Sequence, residues 1–172
     1  MKKILFIIGA FFAVMAANAQ GQASIGKNTV PDGSGILDFN AGGKAGIVLP
    51  WVTTLPTGSA LTGGVMIYDA NLKKVMYYNG TGWVDLSNHA GAVDLSIQAS
   101  VPEAATKGSV IGAGSSSVDG VLVLESSNKA LILPKVVSPH LNIVNPMAGT
   151  ICYDTVKKMV CIYNGSEWTF WK

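Results

Sequence analysis

The 172-residue sequence predicts an all-β chain of two tandem repeats, each about 60 residues long and ending in a three-stranded meander, behind an N-terminal signal helix. Three observations carry this. First, the chain aligns with itself: Gly64 to Trp83 matches Gly149 to Trp168 without gaps, at a spacing of 85 and with nine identities in twenty. A fixed period of this kind sets the architecture. Second, beyond residue 19 no window of helical length places apolar residues at i, i+3, i+4 and i+7, while β-branched and aromatic residues dominate the apolar runs. Third, Gly, Ser and Thr make up 43 of the 153 residues after position 19, a turn-rich composition.

Residues 1–19 read as a secretory signal peptide. Lys2 and Lys3 form a positive start, Ile4 to Ala16 an apolar run of 13, and Ala17-Asn18-Ala19 a cleavage site. Thirteen residues fall short of the ~20 that a membrane-crossing helix needs, so no membrane insertion is expected once the signal is cleaved. With no cysteine after the cleavage site, a lipid at a new N-terminal cysteine has no residue to attach to. Export is the predicted fate, to the cell surface, the outer membrane or the extracellular space, with the periplasm the alternative.

Cleavage also changes the charge. The full chain has 12 lysines, no arginine and 10 acidic residues, and removing Lys2 and Lys3 leaves ten charges of each sign. A neutral chain without guanidinium groups has neither the field nor the bidentate donors for nucleic-acid recognition.

The first repeat, residues 20–87, holds Ile25-Gly26, then Asp32-Gly33 before Ile36-Leu37, then Gly46-Ile-Val-Leu-Pro50, then the meander. The second, residues 110–172, answers with Ile111-Gly112, Asp119-Gly120 before Val121-Leu122, and Ala130-Leu-Ile-Leu-Pro134. Residues 88–109 form a connector in which Val93, Leu95 and Ile97 alternate with polar residues as a short strand would.

Asn79-Gly80 and Asn164-Gly165 are two-residue hairpin signals. A two-residue loop sets Met76 opposite Trp83, Tyr77 opposite Gly82 and Cys161 opposite Trp168. A further reversal falls between Asp69 and Lys73, and between Asp154 and Lys158. Each Asp is explained by its side chain hydrogen-bonding the local backbone. If that reversal is symmetric, Val65, Ile67, Met76, Tyr78 and Trp83 share one face, and Met66, Tyr68, Val75 and Tyr77 share the other. Both faces are apolar, so both need cover. A homo-oligomer, with a trimer the leading form, or a larger surface assembly supplies it on one reading; a two-sheet sandwich within one chain supplies it on the other.

Cys152 and Cys161 occupy the positions of Ile67 and Met76, and a reversal centred between Val156 and Lys157 sets them directly opposite one another, where an exported chain is expected to form a cross-strand disulfide. The alternative, which a shifted register with a bulge in the turn would produce, is two buried thiols acting as small apolar groups. The search for chemistry yields little else. His89 and His140 lack a second ligand at fixed spacing, and no nucleophile elbow, zinc helix or phosphate loop is present. No catalytic residue, cofactor or metal is therefore expected. Tyr77, Tyr78 and Trp83, with Tyr163, Trp168, Phe170 and Trp171, are candidate core residues or, if exposed together, a platform for glycan binding. Asn79-Gly-Thr81 and Asn164-Gly-Ser166 match an N-glycosylation acceptor pattern, but the turns already account for them.

The order Ile-Gly, Pro-Asp-Gly-Ser-Gly-Ile-Leu-Asp (31–38), Lys-Ala-Gly-Ile-Val-Leu-Pro (44–50), Gly-Val-Met-Ile-Tyr-Asp (64–69) and Tyr-Tyr-Asn-Gly-Thr-Gly-Trp (77–83) resembles a secreted repeat module of Bacteroidota surface proteins. It is similar in places to the shaft segments of phage tail-fibre-like proteins. That resemblance implies elongated, often trimeric β structure and a non-enzymatic structural or interaction role. It carries over no catalytic residue. The arginine usual after the Leu-Leu-Pro segment is Trp51 in one copy and Lys135 in the other, and the Leu-Asp of copy one becomes Leu122-Val123. No intramolecular chaperone follows the last repeat, so a trimer would form by other means. Asp154-Thr155-Val156 resembles an O-glycosylation acceptor of such organisms, which marks Thr155.

Overall fold

The computed structural model describes residues 21–28, 35–59, 61–98 and 108–172. The expected signal peptide and the Asp32-Gly33 pair lie outside the described residues. Among the described residues, fourteen strands make up nearly all of the regular secondary structure, and the parallel pairs stack successive coils of chain as in a β-solenoid.

Both repeats run through the same seven strands in the same order. In the first these are β1 (Ala23–Ile25), β2 (Gly35–Phe39), β3 (Ile47–Val48), β4 (Trp51–Val52), β5 (Met66–Asp69), β6 (Lys74–Tyr78) and β7 (Trp83–Asp85). In the second they are β8 (Ser109–Ile111), β9 (Leu122–Leu124), β10 (Ala130–Leu131), β11 (Lys135–Val136), β12 (Thr150–Asp154), β13 (Met159–Tyr163) and β14 (Trp168–Trp171). Parallel pairs open each module, Ala23 opposite Leu37 and Ser109 opposite Leu122. A second parallel pair joins the upstream segment to the meander: Trp51 opposite Tyr68, and Lys135 opposite Tyr153.

The first reversal of each meander is symmetric, the condition on which the face assignment rests, with Ile67 opposite Met76 and Cys152 opposite Cys161. Asp69 Oδ1 accepts the N–H groups of Asn71 and Leu72, each at 2.9 Å, and Asp154 Oδ1 accepts those of Val156 (2.8 Å) and Lys157 (3.2 Å). The aspartates thus hold the turn by the local bonding expected of them.

At the second reversal the register differs from the expected one by two residues. Tyr78 faces Trp83, Met76 faces Asp85, Tyr163 faces Trp168 and Cys161 faces Phe170. The physical reason is the asparagine side chain. Asn79 Oδ1 accepts from the N–H of both Thr81 and Gly82 at 2.8 Å, while its own N–H donates to the Gly82 carbonyl at 3.1 Å, so the loop has four residues. Gly80 alone takes a positive φ, +95°, whereas a two-residue type I′ loop requires it at both positions. A shift of two leaves each side chain on its predicted face.

The connector holds a 3-10 turn over Leu95–Ile97 in place of the expected strand. Asp94 caps it by accepting the Ser96 N–H at 2.9 Å, and no strand among the described residues pairs with it. A second departure is α1 (Pro139–Asn142), one helical turn started by a proline at its first position. The first module has no such turn among its described residues.

The core lies between the meanders. Tyr68 and Val75 of one meander are fully buried against Ile151 and Ile162 of the other, with Ala148 beside them. Each module therefore covers the other's inner face within a single chain. On the outer face of the second meander, Val136 buries Cys152 and Cys161, ringed by Ile143, Trp168 and Phe170.

Candidate functional site

Three places in the fold bear on function: the contact between the modules, the aromatic positions and the paired thiols. The module contact is fixed by polar groups aimed across it. Tyr68 Oη donates to the Asn164 carbonyl at 2.8 Å, and Trp51 Nε1 donates to the Ala148 carbonyl at 2.7 Å. In the other direction, Thr169 Oγ1 (3.0 Å) and Trp171 Nε1 (2.8 Å) both donate to the Leu86 carbonyl. Burial and the Asp69 charge push the Tyr68 hydroxyl up to about 12, so it remains a donor at any ordinary pH. Trp51, the residue that departs from the resembled pattern, is thus part of the contact between modules.

A strand crosses as well. β3 belongs to the first module by sequence yet pairs antiparallel with β12, Ile47 opposite Ile151 and Val48 opposite Thr150. Its counterpart β10 goes elsewhere, lying parallel on β2 with Leu131 opposite Leu37. Gly46 explains how β3 approaches so closely: a Cβ there would stand 2.7 Å from the Ile151 carbonyl oxygen and 2.6 Å from Thr150 Cγ2. The second module has Ala130 at that place. Gly46 and the Leu86 carbonyl were not singled out by sequence reasoning; the Gly-for-Ala difference in an otherwise matched segment was the available signal.

The inner faces meet fully only at one end. At the other they part around an apolar cleft of about 420 Å³, with Met66, Tyr77 and Val84 on one wall and Val160, Ile162 and Trp171 on the other. Trp171 at its mouth is 41% exposed. Among the described residues no charged one lines it.

The candidate aromatics do not gather into one platform. Tyr77 and Trp171 line the cleft, while Tyr78 and Trp83 lie on the outer face of the first meander. Their rings are 5.4 Å apart and tilted by 58°. Tyr163 and Trp168 repeat that pair in the second module at 5.2 Å and 44°. Both Trp83 and Trp168 are half-buried.

The two cysteines are free thiols, in place of the disulfide expected from the sequence. They stand in the ladder where the first module has Ile67 and Met76, and the apolar cluster around them accommodates a thiol as it would a small hydrophobic group. Cys161 Sγ donates to the Met159 carbonyl at 3.6 Å. The bond its own S–H makes to the Cys161 sulfur, together with burial, pushes the Cys152 thiol far above its ordinary range, which makes it a poor nucleophile.

The remaining candidates are dispersed. His89 is exposed and holds Glu167 Oε1 through Nδ1 at 2.7 Å, tying the connector to the second meander. His140 sets its ring edge-on to Phe170 at 5.9 Å. Thr155 is exposed at the start of the reversal after Asp154. Among the described residues no three His, Cys, Asp or Glu side chains gather as metal ligands would, and no helix is long and apolar enough to cross a membrane.

No curated protein and no solved structure matches this chain. The family model described as a phage tail like trimerisation region matches it twice, over residues 24–105 and 110–172. Those two matches take in both modules and most of the chain, and they point to a non-enzymatic, oligomer-forming structural protein of the fibre type. The chain belongs to the phage tail like trimerisation region family.

Proposed function

We propose that this protein is an exported structural component of the bacterial cell surface that assembles as a homotrimer of fibre-like shape. The double match to a trimerisation region is the observation that carries the reading. It is supported by the neutral charge expected after signal cleavage, which leaves packing and β surfaces to select the partner. The test is the mass of the exported form by light scattering. Three times the protomer mass is the expected result, and a monomer at every concentration sinks the proposal.

Glycan binding is the competing role. Sugars stack on exposed, coplanar aromatic faces, whereas Trp83 and Trp168 are half-buried and tilted against their tyrosine neighbours. That geometry favours a structural use of both. On the same reading Thr155 is the place for an O-linked glycan on the exported protein. Intact mass of wild type and Thr155→Val decides this, since an unmodified wild type would remove the site.

A further inference from the structure

The two meanders have equivalent sheet edges, and one of them is covered. On the second, β3 lies antiparallel along β12, with Ile47 opposite Ile151 and Val48 opposite Thr150, and the Leu49 N–H donates to the Gly149 carbonyl at 3.0 Å. Gly149, Thr150 and Ile151 are all buried. Their equivalents one repeat earlier are Gly64, Val65 and Met66. No described strand lies beside these as β3 lies beside β12, and no described backbone N–H donates to the Gly64 carbonyl. Gly64 is exposed, and Val65 and Met66 are half-buried. β4 holds the rest of this edge at Tyr68 and Asp69, as β11 holds Tyr153 and Asp154. The open stretch is therefore the length that β3 fills on the other sheet, and an open edge is a template for strand pairing.

We infer that the β5 edge at Gly64 to Met66 is an acceptor for a strand of the Gly-Ile-Val-Leu-Pro type, supplied by a different polypeptide that carries a repeat of this kind. β3 shows the form of the occupant: antiparallel, its isoleucine opposite Met66, its valine opposite Val65 and its leucine N–H on the Gly64 carbonyl. Main-chain bonds give strand addition its affinity, and alternate side chains its specificity. Ile47 and Leu49 pack on the core between the meanders, so the same side chains of an incoming strand enter the cleft at Gly64 and Met66. A glycine must precede them. Val65 is β-branched like Thr150, whose Cγ2 would stand 2.6 Å from a Cβ at Gly46. A second copy has no such strand to give, because both segments of this pattern are engaged within the chain, Ile47 and Val48 on β12 and Ala130 and Leu131 on β2.

The probe is a labelled synthetic peptide of residues 44–50, Lys-Ala-Gly-Ile-Val-Leu-Pro, added to the intact exported protein. Fluorescence anisotropy should show saturable binding, weakened about tenfold or more when the peptide's glycine is alanine. Met66→Pro should abolish it. The Met66 N–H points the same way as that of Tyr68, which donates to the Pro50 carbonyl at 2.9 Å, and proline removes that donor from the edge. Circular dichroism confirms that the variant folds. Should it fail to fold, hydrogen exchange on wild type replaces it, and the Met66 amide should slow when peptide is added. No saturable binding at millimolar peptide, binding that Met66→Pro leaves intact, or an unchanged Met66 amide overturns the acceptor. So does a Met66 amide protected without peptide: protection that fades on dilution gives the edge to a second copy, and protection that persists gives it to this chain. A wild-type monomer that binds the peptide overturns the trimeric reading and leaves the acceptor standing.

Discussion

Comparing the two modules shows which parts of this fold are set locally. Their meanders are nearly superimposable in pattern: the same registers at the first reversal, the same aspartate turns and the same four-residue asparagine loops. Their upstream strands are not. β3 crosses to complete the neighbouring sheet, while β10, with four of its five flanking positions apolar in the same way, lies back on β2. Gly46 against Ala130 is the residue difference at the point of closest approach. Hairpins repeat because their information is within reach of a few residues, whereas a long-range pairing also needs room at its point of closest approach, which Gly46 leaves and a Cβ would fill.

The largest expected effect separates the two equivalent tyrosines. Tyr68 is fully buried in the module contact and Tyr153 is half-buried. Tyr68→Ala should cost about 3 to 5 kcal/mol in denaturant unfolding, and Tyr153→Ala less than half of that. Equal losses would mean that the modules do not pack through the face described. Next comes the crossing strand. Gly46→Ala places a methyl against the β12 backbone and should cost about 1 to 3 kcal/mol, as overpacking does. Ala130→Gly should cost only about 0.5 to 1 kcal/mol, by flexibility alone. A Gly46→Ala variant as stable as wild type would show that the glycine does not direct the strand.

The loop asparagines give a smaller contrast. Asn79 is exposed and holds only its own turn; Asn164 is buried, holds the same turn and also donates to the His89 carbonyl at 3.0 Å. Asn164→Ala should cost about 2 kcal/mol and Asn79→Ala about 1 kcal/mol, measured in the same unfolding series. The smallest effect appears only in acid. Burial pushes the Asp154 carboxyl up, but the N–H groups of Val156, Lys157 and Ser138 together outweigh it and hold the group below the ordinary value of 3.8. Its contribution is present above that value and is lost as pH falls through the lower folded one. Asp154→Asn should flatten that acid limb, and an unchanged pH profile would show that the carboxylate is not the group responsible.

Much of this was legible in the residues. The repeat, the direct opposition of Cys152 and Cys161, the partition of Ile67 and Met76 from Tyr68 and Val75, and the two aspartate turns all follow from counting along short stretches. The four-residue loop at Asn79 was hidden because one asparagine offers either its backbone or its side chain to a turn, and the dipeptide looks the same in both cases. The 3-10 turn at Leu95–Ile97 was hidden because alternation over five residues does not say whether a neighbour exists to pair with. The apolar cover over the two thiols was hidden because Val136 and Ile143 come from a segment with no periodic signal. That the modules cover each other was one of two readings left open by two apolar faces.

The crossing of β3 has a consequence for the order in which the chain can fold. Ile47 finds Ile151 across roughly a hundred residues, and such distant pairings form late because the intervening loop must close before they gain anything. A chain that emerges from its N-terminus makes the first meander early, yet holds β3 without its partner until the second meander arrives. The first module therefore completes its sheets only in the company of the second, and the pair is expected to unfold in one transition despite being written as two.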